Sequence, residues 1–315
     1  MANTASEATA RWSKSWASIR RSIGALWAVR TADAVYIAVK AGNGMWLTTA
    51  IAGLARLLGA QVFLHHHSYA YVRTRKARMA ALVRAAGPRA HHIVLSRTMA
   101  RDLVGVMPEI GAPLIIGNAS LVDRRLVELP LKKDSNEMVL GHLSNLSADK
   151  GIGEVVQLAV ALHEARVRFR LIVAGPALDE AAQRGLKIAA RELGETFEYR
   201  GPLQASAKHD FFNDITHFVF PTRYVHEAAP LVLYEAIAAG VVCVTTRIGS
   251  ISEQLERCPA VLASDAPSFI EETLPLLVNS SVTASASAEC RQAFLSAQAQ
   301  SENELAEVVG VLGRG

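Results

Sequence analysis

The feature that most limits what this chain can fold into is an alternation of short β-branched runs with helically periodic segments. Residues Ala34–Val39, Gln61–Leu64, His92–Leu95 and Leu114–Ile116 have the composition of strands. A second series follows at Glu137–Leu143, Arg168–Ala174, Thr196–Tyr199, His217–Phe220 and Val241–Thr245, with helical patterns at Gly153–Ala165, Glu180–Leu193 and Leu231–Ala239 between its members. Such alternation predicts a parallel sheet with helices on both faces. It occurs twice, and the polar stretch Leu131-Lys-Lys-Asp-Ser-Asn136 between the two series lacks periodicity. The expectation is an α/β protein of two domains, residues 1–130 and 137–280. An Ala/Ser-rich linker at 279–288 and a closing helix at 289–312 complete it. Two such domains imply a cleft, because open parallel sheets bind ligands beyond the carboxyl ends of their strands.

Composition narrows the class. Half of the 315 residues are hydrophobic and a fifth are charged, which is enough apolar material for full cores and excludes wholesale disorder. Lys and Arg exceed Asp and Glu by only four, 33 against 29. That excess permits an acidic substrate or an anionic membrane surface without implying nucleic acid. Cys243, Cys258 and Cys290 are odd in number and far apart. They match neither a disulfide framework nor a zinc site, and a reducing cytoplasm is the expectation.

Met45–Leu64 is as long as a membrane span, but Arg56, Gly59 and Gln61 interrupt it, which favours a buried helix followed by a strand. The polar start, Met1 to Arg11, does not resemble a signal peptide. Trp12, Trp16, Ile19, Ile23 and Trp27 form one apolar stripe at helical spacing, with Arg11, Lys14, Arg20 and Arg21 nearby. Either this helix packs on a sheet with its charges in water, or it lies in an anionic leaflet with Trp at the headgroups.

The most informative segment is Phe220-Pro-Thr-Arg-Tyr-Val-His-Glu227-Ala-Ala-Pro230-Leu-Val-Leu-Tyr-Glu235-Ala-Ile-Ala-Ala-Gly240. A strand ends at Phe220 and a loop follows. A helix then starts with Pro230 in its first turn, where a missing N–H costs nothing, and Gly240 caps its far end. Free N–H groups at such a start suit a diphosphate, and the small Ala228-Ala229 pair lets a ligand approach. Glu227 at the mouth and Glu235 within the helix cannot themselves attract phosphate. As acceptors they suit sugar hydroxyls at either end of a nucleotide-sugar diphosphate.

Glu-x7-Glu in this strand–loop–helix–Gly–strand setting resembles the retaining glycosyltransferases of the GT-B fold, the family-4 type (glycosyl transferases group 1). Leu143-Ser-Asn145-Leu-Ser-Ala-Asp-Lys150-Gly151, Leu171-Ile-Val-Ala-Gly175-Pro, Phe197-Glu-Tyr-Arg-Gly201-Pro and Thr246-Arg-Ile-Gly-Ser-Ile-Ser-Glu253 are similar to the family's other loops, in the same order. The likeness covers about residues 60 to 275. It implies two Rossmann-like domains facing across a cleft, and transfer of a hexosyl-type sugar (EC 2.4) with retention, from a nucleotide-sugar to a glycan or lipid-linked acceptor. The usual setting is surface polysaccharide biosynthesis in the cytoplasm, or at the inner face of the membrane.

Carried over by motif, Glu227 contacts donor-sugar hydroxyls, Glu235 the ribose, and Lys150 the diphosphate, which N–H groups around Ala229, Pro230 and Leu231 share. Gly201 belongs to the same donor site. Asn145 stands where the family usually has an arginine, and Arg73 or Arg75 is the candidate replacement. In Leu64-His65-His66-His67-Ser68-Tyr69, His65 and His67 point the same way on a strand end. The resemblance puts His67 near donor sugar and acceptor, while a metal pair and a hydrogen-bonded structural histidine are the alternatives. Asn118 is expected at the cleft edge in a structural role. No Asp-x-Asp occurs, and the resemblance implies transfer without metal or other cofactor.

The family usually opens with a strand and a glycine-rich loop, whereas the first strand here comes at Ala34, which implies a shortened first domain. A misassigned start, a compact enzyme and a degenerate homologue all match that pattern. The alternatives to a transferase are therefore a catalytically silent sugar-nucleotide-binding homologue or partner subunit, and a GT-B nucleotide-sugar epimerase.

Overall fold

A computed structural model describes residues 29–313. The tryptophan stripe lies outside the described residues. The chain divides into two compact units. One holds the residues up to Val94, Ala100–Ile115 and the end of the chain from Ala306, and the other holds Leu95–Met99 and Ile116–Leu305.

The first unit contains β1 (Ala34–Val39), α1 (Gly44–Leu57), β2 (Gln61–His66), α2 (Ala77–Ala86), β3 (His91–Val94), most of α3 (Arg97–Val106) and β4 (Leu114–Ile115). The strands form a parallel sheet in the order β1-β2-β3-β4. Phe63, Leu64, Ile93 and Val94 fill its centre with Met79 and Leu82 of α2. β2 runs two residues past the expected Leu64, because Ala38 and Val39 of β1 pair with His65 and His66. The helix in the apolar run Met45–Leu64 is only half buried, which corrects the expectation. Met45, Thr48, Ala52 and Ala55 face inward, whereas Leu57 is 85% exposed. No helix among the described residues is long and apolar enough to cross a membrane.

The second unit contains β5 (Met138–Leu143), α4 (Ile152–Glu164), β6 (Phe169–Ala174), α5 (Glu180–Leu193), β7 (Phe197–Tyr199), α6 (Ala205–Asp214) and β8 (His217–Phe220). These are followed by α7 (Leu231–Ala238), β9 (Val242–Thr246), α8 (Ile251–Gln254), β10 (Val261–Ala263), α9 (Phe269–Val278) and α10 (Ala284–Leu312), whose residues from Ala306 belong to the first unit. Its six parallel strands run β10-β9-β8-β5-β6-β7. Alternate strand residues feed two cores. Val139, Ile172 and Phe218 pack with Phe211, Leu233 and Phe294 on one face, while Leu140, Val173 and Val219 pack with Val155, Leu158 and Phe269 on the other.

The chain leaves β5 toward β6 on one side and later returns to place β8 on the other. The order therefore reverses between β5 and β8, and the loops leaving their carboxyl ends diverge there to leave a crevice.

Two expectations change. β10, α6 and α9 complete the unit where no periodicity marked them. The linker expected at 279–288 becomes helical from Ala284, since alanine is the best helix former. Thr283 Oγ1 accepts from Ala286 N at 3.1 Å, and Asp134 accepts from Ala284 N at 2.7 Å, satisfying first-turn donors.

Candidate active site

The crevice lies in the second unit. Three of its loops are held together by backbone contacts. After β5, Ala148–Lys150 makes one 3₁₀ turn, with Ser147 Oγ accepting from Lys150 N. Gly151 then takes φ +79°, and a Cβ there would stand 2.1 Å from the carbonyl oxygen of Pro221 in the loop after β8. Arg223 N donates to Asp149 O at 2.8 Å across the same junction. Lys150 and Glu227, 77 positions apart, thereby meet with Nζ to Oε2 at 2.5 Å. Lys150 Nζ also lies 5.1 Å from the ring centre of Tyr224 and 5.5 Å from that of Phe220.

The loop after β9 supports the Glu227 segment from behind. A Cβ on Gly249 would come within 2.1 Å of Glu227 O. Ser250 N donates to Ala228 O at 2.9 Å, and Gln254 Nε2 donates to Pro230 O at 2.9 Å. Asn118 Nδ2 donates to Ala229 O at 2.8 Å, consistent with a structural role for that asparagine. Pro230 stands immediately before the first helical residue, in extended backbone (φ −63°, ψ 123°), and not within the first turn as expected. The N–H groups that open α7 are those of Leu231 and Val232.

The segments after β5, β6, β7 and β8, with α6 and the start of α7, line an open cavity of about 440 Å³. Asn145, Lys150, Glu227, Pro230, Leu231 and Glu235 line it. Gly201 and Ala229 stand one residue behind the lining, which at those points is Pro202 and Pro230. Gly201 instead accepts from Gly175 N through its carbonyl, at 2.7 Å.

Glu235 is almost fully buried, and its Oε1 lies 2.5 Å from Nζ of Lys208 on α6. Lys208 belongs to no recognisable motif, and only the packing of α6 beside α7 brings it to the site. Ser144 was also missed. Buried His142 on β5 donates through Nδ1 to Val219 O at 2.8 Å, so its Nε2 accepts from Ser144 Oγ at 2.9 Å. Burial pushes His142 down to about 4, the hydrogen bond to Val219 O opposes this in part, and the positive charge of Lys150 adds a smaller push in the same direction as burial.

His67 lies in the first unit. It is exposed just past β2, with its ring 3.9 Å from that of His65. His65 is buried against the Tyr36 hydroxyl, while His66 joins Tyr71 at 3.3 Å and His92 at 3.0 Å. Among the described residues no three His, Cys, Asp or Glu side chains gather as a metal site requires. Arg73 and Arg75 form ion pairs within their own unit. Arg73 pairs with Asp102 at 3.3 Å and Arg75 with Glu109 at 2.6 Å.

Residues 125–258 match the family model "Glycosyl transferases group 1". "Putative glycosyltransferase EpsF" of Bacillus subtilis (strain 168) is 27% identical over 165 residues, half of this chain and 39% of that protein. The chain thus spans well under two thirds of that relative. Among solved structures, Anabaena HepE in complex with UDP and glucose superposes with a TM-score of 0.69 at 15% identity, covering 93% of this chain and 81% of HepE. Sucrose-phosphate synthase from Thermosynechococcus elongatus gives 0.59 at 18% identity, covering 85% and 71%. Two parallel-sheet units, matching these structures over most of the chain, make the fold GT-B.

Proposed function

We propose that the chain is a retaining glycosyltransferase whose second unit binds a nucleoside-diphosphate sugar. The observation that carries this is the pairing of Lys150 with Glu227 at the opening of a cavity backed by the first turn of α7. A cation and a carboxylate side by side at a helix N-terminus suit a ligand that is anionic at one point and hydroxylated at the next. The group 1 match over 125–258, and the UDP-bound state of HepE, support a nucleotide-sugar donor.

In this scheme the diphosphate takes the N–H groups of Leu231 and Val232 together with Lys150, and Glu227 accepts from the sugar hydroxyls. Buried Glu235 accepts from the ribose. The bond from the anomeric carbon to the phosphate oxygen breaks through an oxocarbenium-like state, and its electron pair leaves with the diphosphate. Lys150 and the helix N–H groups hold the developing charge, in place of a metal. The acceptor hydroxyl attacks from the same face, and its proton passes to the departing phosphate oxygen. For His67, on the first unit, a role toward donor sugar and acceptor is carried over from the family resemblance alone. The acceptor is a glycan or lipid-linked hydroxyl of surface polysaccharide assembly, at the cytoplasmic face of a membrane.

The test is a thermal-shift panel of UDP-, GDP- and ADP-sugars, followed by transfer assays with the donor so identified. A ligand at about a hundred times its dissociation constant adds about 2.7 kcal/mol, an easily measured shift. One nucleotide series should stabilise the protein. Lys150→Ala and Glu227→Ala should melt as the wild type does, yet lose transfer by about a hundredfold or more, the weight of a charged contact in the transition state. Wild-type rates in both variants would remove the site assignment. Binding without turnover would select the silent homologue, and turnover without an acceptor the epimerase.

A further inference from the structure

Lys208 is the charged lining residue that the scheme above leaves without a role. We propose that it is the positioning residue of Glu235, and that the pair makes the site selective for ribonucleoside over 2′-deoxyribonucleoside diphosphates. The inference rests on the donor-site reading of this cavity.

Glu235 projects from the fifth residue of α7, with its side chain 8% exposed. A carboxylate that deep is held in one orientation only with a partner, and removing the partner leaves it uncompensated. Lys208 Nζ is that partner, 2.5 Å from Oε1. Its helix is itself anchored. Buried Lys132 donates to Phe212 O at 2.9 Å and to Asn213 O at 2.8 Å, at the carboxyl end of α6. Lys208 therefore presents its ammonium from a fixed support.

With Oε1 held, Oε2 and the remaining lone pair of Oε1 are the acceptors directed to a ligand. That number matches a vicinal diol. Pro202, Leu203 and Val232 line the same cavity with apolar surface suited to a base. A ligand lacking the 2′-hydroxyl leaves a buried carboxylate lone pair without its donor, and the penalty falls on that ligand alone. Without Lys208, Glu235 can turn away, and that discrimination goes.

The measurement is calorimetric binding of UDP, GDP and ADP, and of their 2′-deoxy counterparts, to the wild type, Lys208→Met, Lys208→Arg, Glu235→Gln and the Met/Gln double variant. For the base that binds, the wild type should prefer the ribonucleotide by about tenfold, as one charged hydrogen bond implies. Lys208→Met should reduce the preference to about threefold or less, and Lys208→Arg should restore it, since either cation can pair with a carboxylate. The double variant should lose no more than Glu235→Gln alone, the non-additivity of a coupled pair. Lys208→Gln replaces Lys208→Met if the latter does not fold. An undiminished ribose preference in the folded Lys208 variant, or losses that add, would overturn the inference while leaving the donor site standing. Wild-type protein that binds none of the three nucleotides would overturn both.

Discussion

In the proposed scheme Glu227 both accepts from the donor sugar and pairs with Lys150, and a change of one atom separates the two. Its carboxylate pairs with Lys150, so a diphosphate entering the cavity competes with Glu227 for the same ammonium. Glu227→Gln keeps the shape and removes the competing charge. Bare UDP, or whichever nucleoside diphosphate the protein prefers, should then bind about fivefold more tightly, because opposite charges at this range interact strongly in a partly buried site. Sugar transfer should nevertheless fall, since the amide is a poorer acceptor for the sugar hydroxyls. Parallel calorimetry and rate measurements check both directions. Weaker binding of the bare nucleotide would show that Glu227 does not restrain Lys150. At this scale part of the motif was legible: Glu227 and Glu235 stand out in the loop–helix segment, whereas Lys150 came from the family resemblance. Lys208 was not legible, because a lysine in a polar helix resembles any solvated lysine until α7 is packed beside it.

At the scale of elements, the site depends on how the loop after β5 abuts the loop after β8. Gly151 is the hinge of that contact, left-handed and with no room for a side chain. Gly151→Ala adds the cost of a left-handed residue to a clash with the carbonyl of Pro221, and should destabilise the protein by about 2–4 kcal/mol. Urea unfolding gives the loss. Nucleotide affinity should fall in the variant under conditions where it remains folded, because Lys150 precedes the hinge directly. A neutral substitution would show that the two loops move apart freely. The strand positions were visible in the sequence because continuous apolar runs mark parallel strands buried on both faces. The order of β5 and β8 was not, since nothing local records which strand a crossover passes.

For the molecule as a whole, acid should be destabilising through its buried histidines. In the first unit, burial lowers His92 to about 4, helped by His91, and His65 to about 3, helped by His67. In the second, burial lowers His142 and His217 to about 4. Each is neutral in the fold and titrates near 6.5 when unfolded, so the unfolded state binds more protons between those values. The contribution is complete above pH 6.5 and is lost as pH falls through the folded values. By pH 5 the loss is roughly 2 kcal/mol for each histidine that stays neutral in the fold. Calorimetric melting from pH 7.5 to 5 should show a steep drop in both units. A flat profile would mean that these rings protonate within the fold.

The local code of this chain specified the α/β class, nearly every strand of both sheets and the Glu-x7-Glu segment. These depend on short-range periodicity and on the conformational limits of proline and glycine, which act within a few residues. Tertiary structure decided the reversal of strand order at β5 and β8, the junction of two loops at Gly151 and Pro221, and the partnership of Glu235 with Lys208. It also placed Arg73 and Arg75 in ion pairs within their own unit. Contacts of this kind join residues far apart in the chain. Their geometry is set by which faces are buried together, and hydrophobic burial is non-directional. Only the assembled packing of helices and strands settles which charged side chains finish within hydrogen-bonding distance.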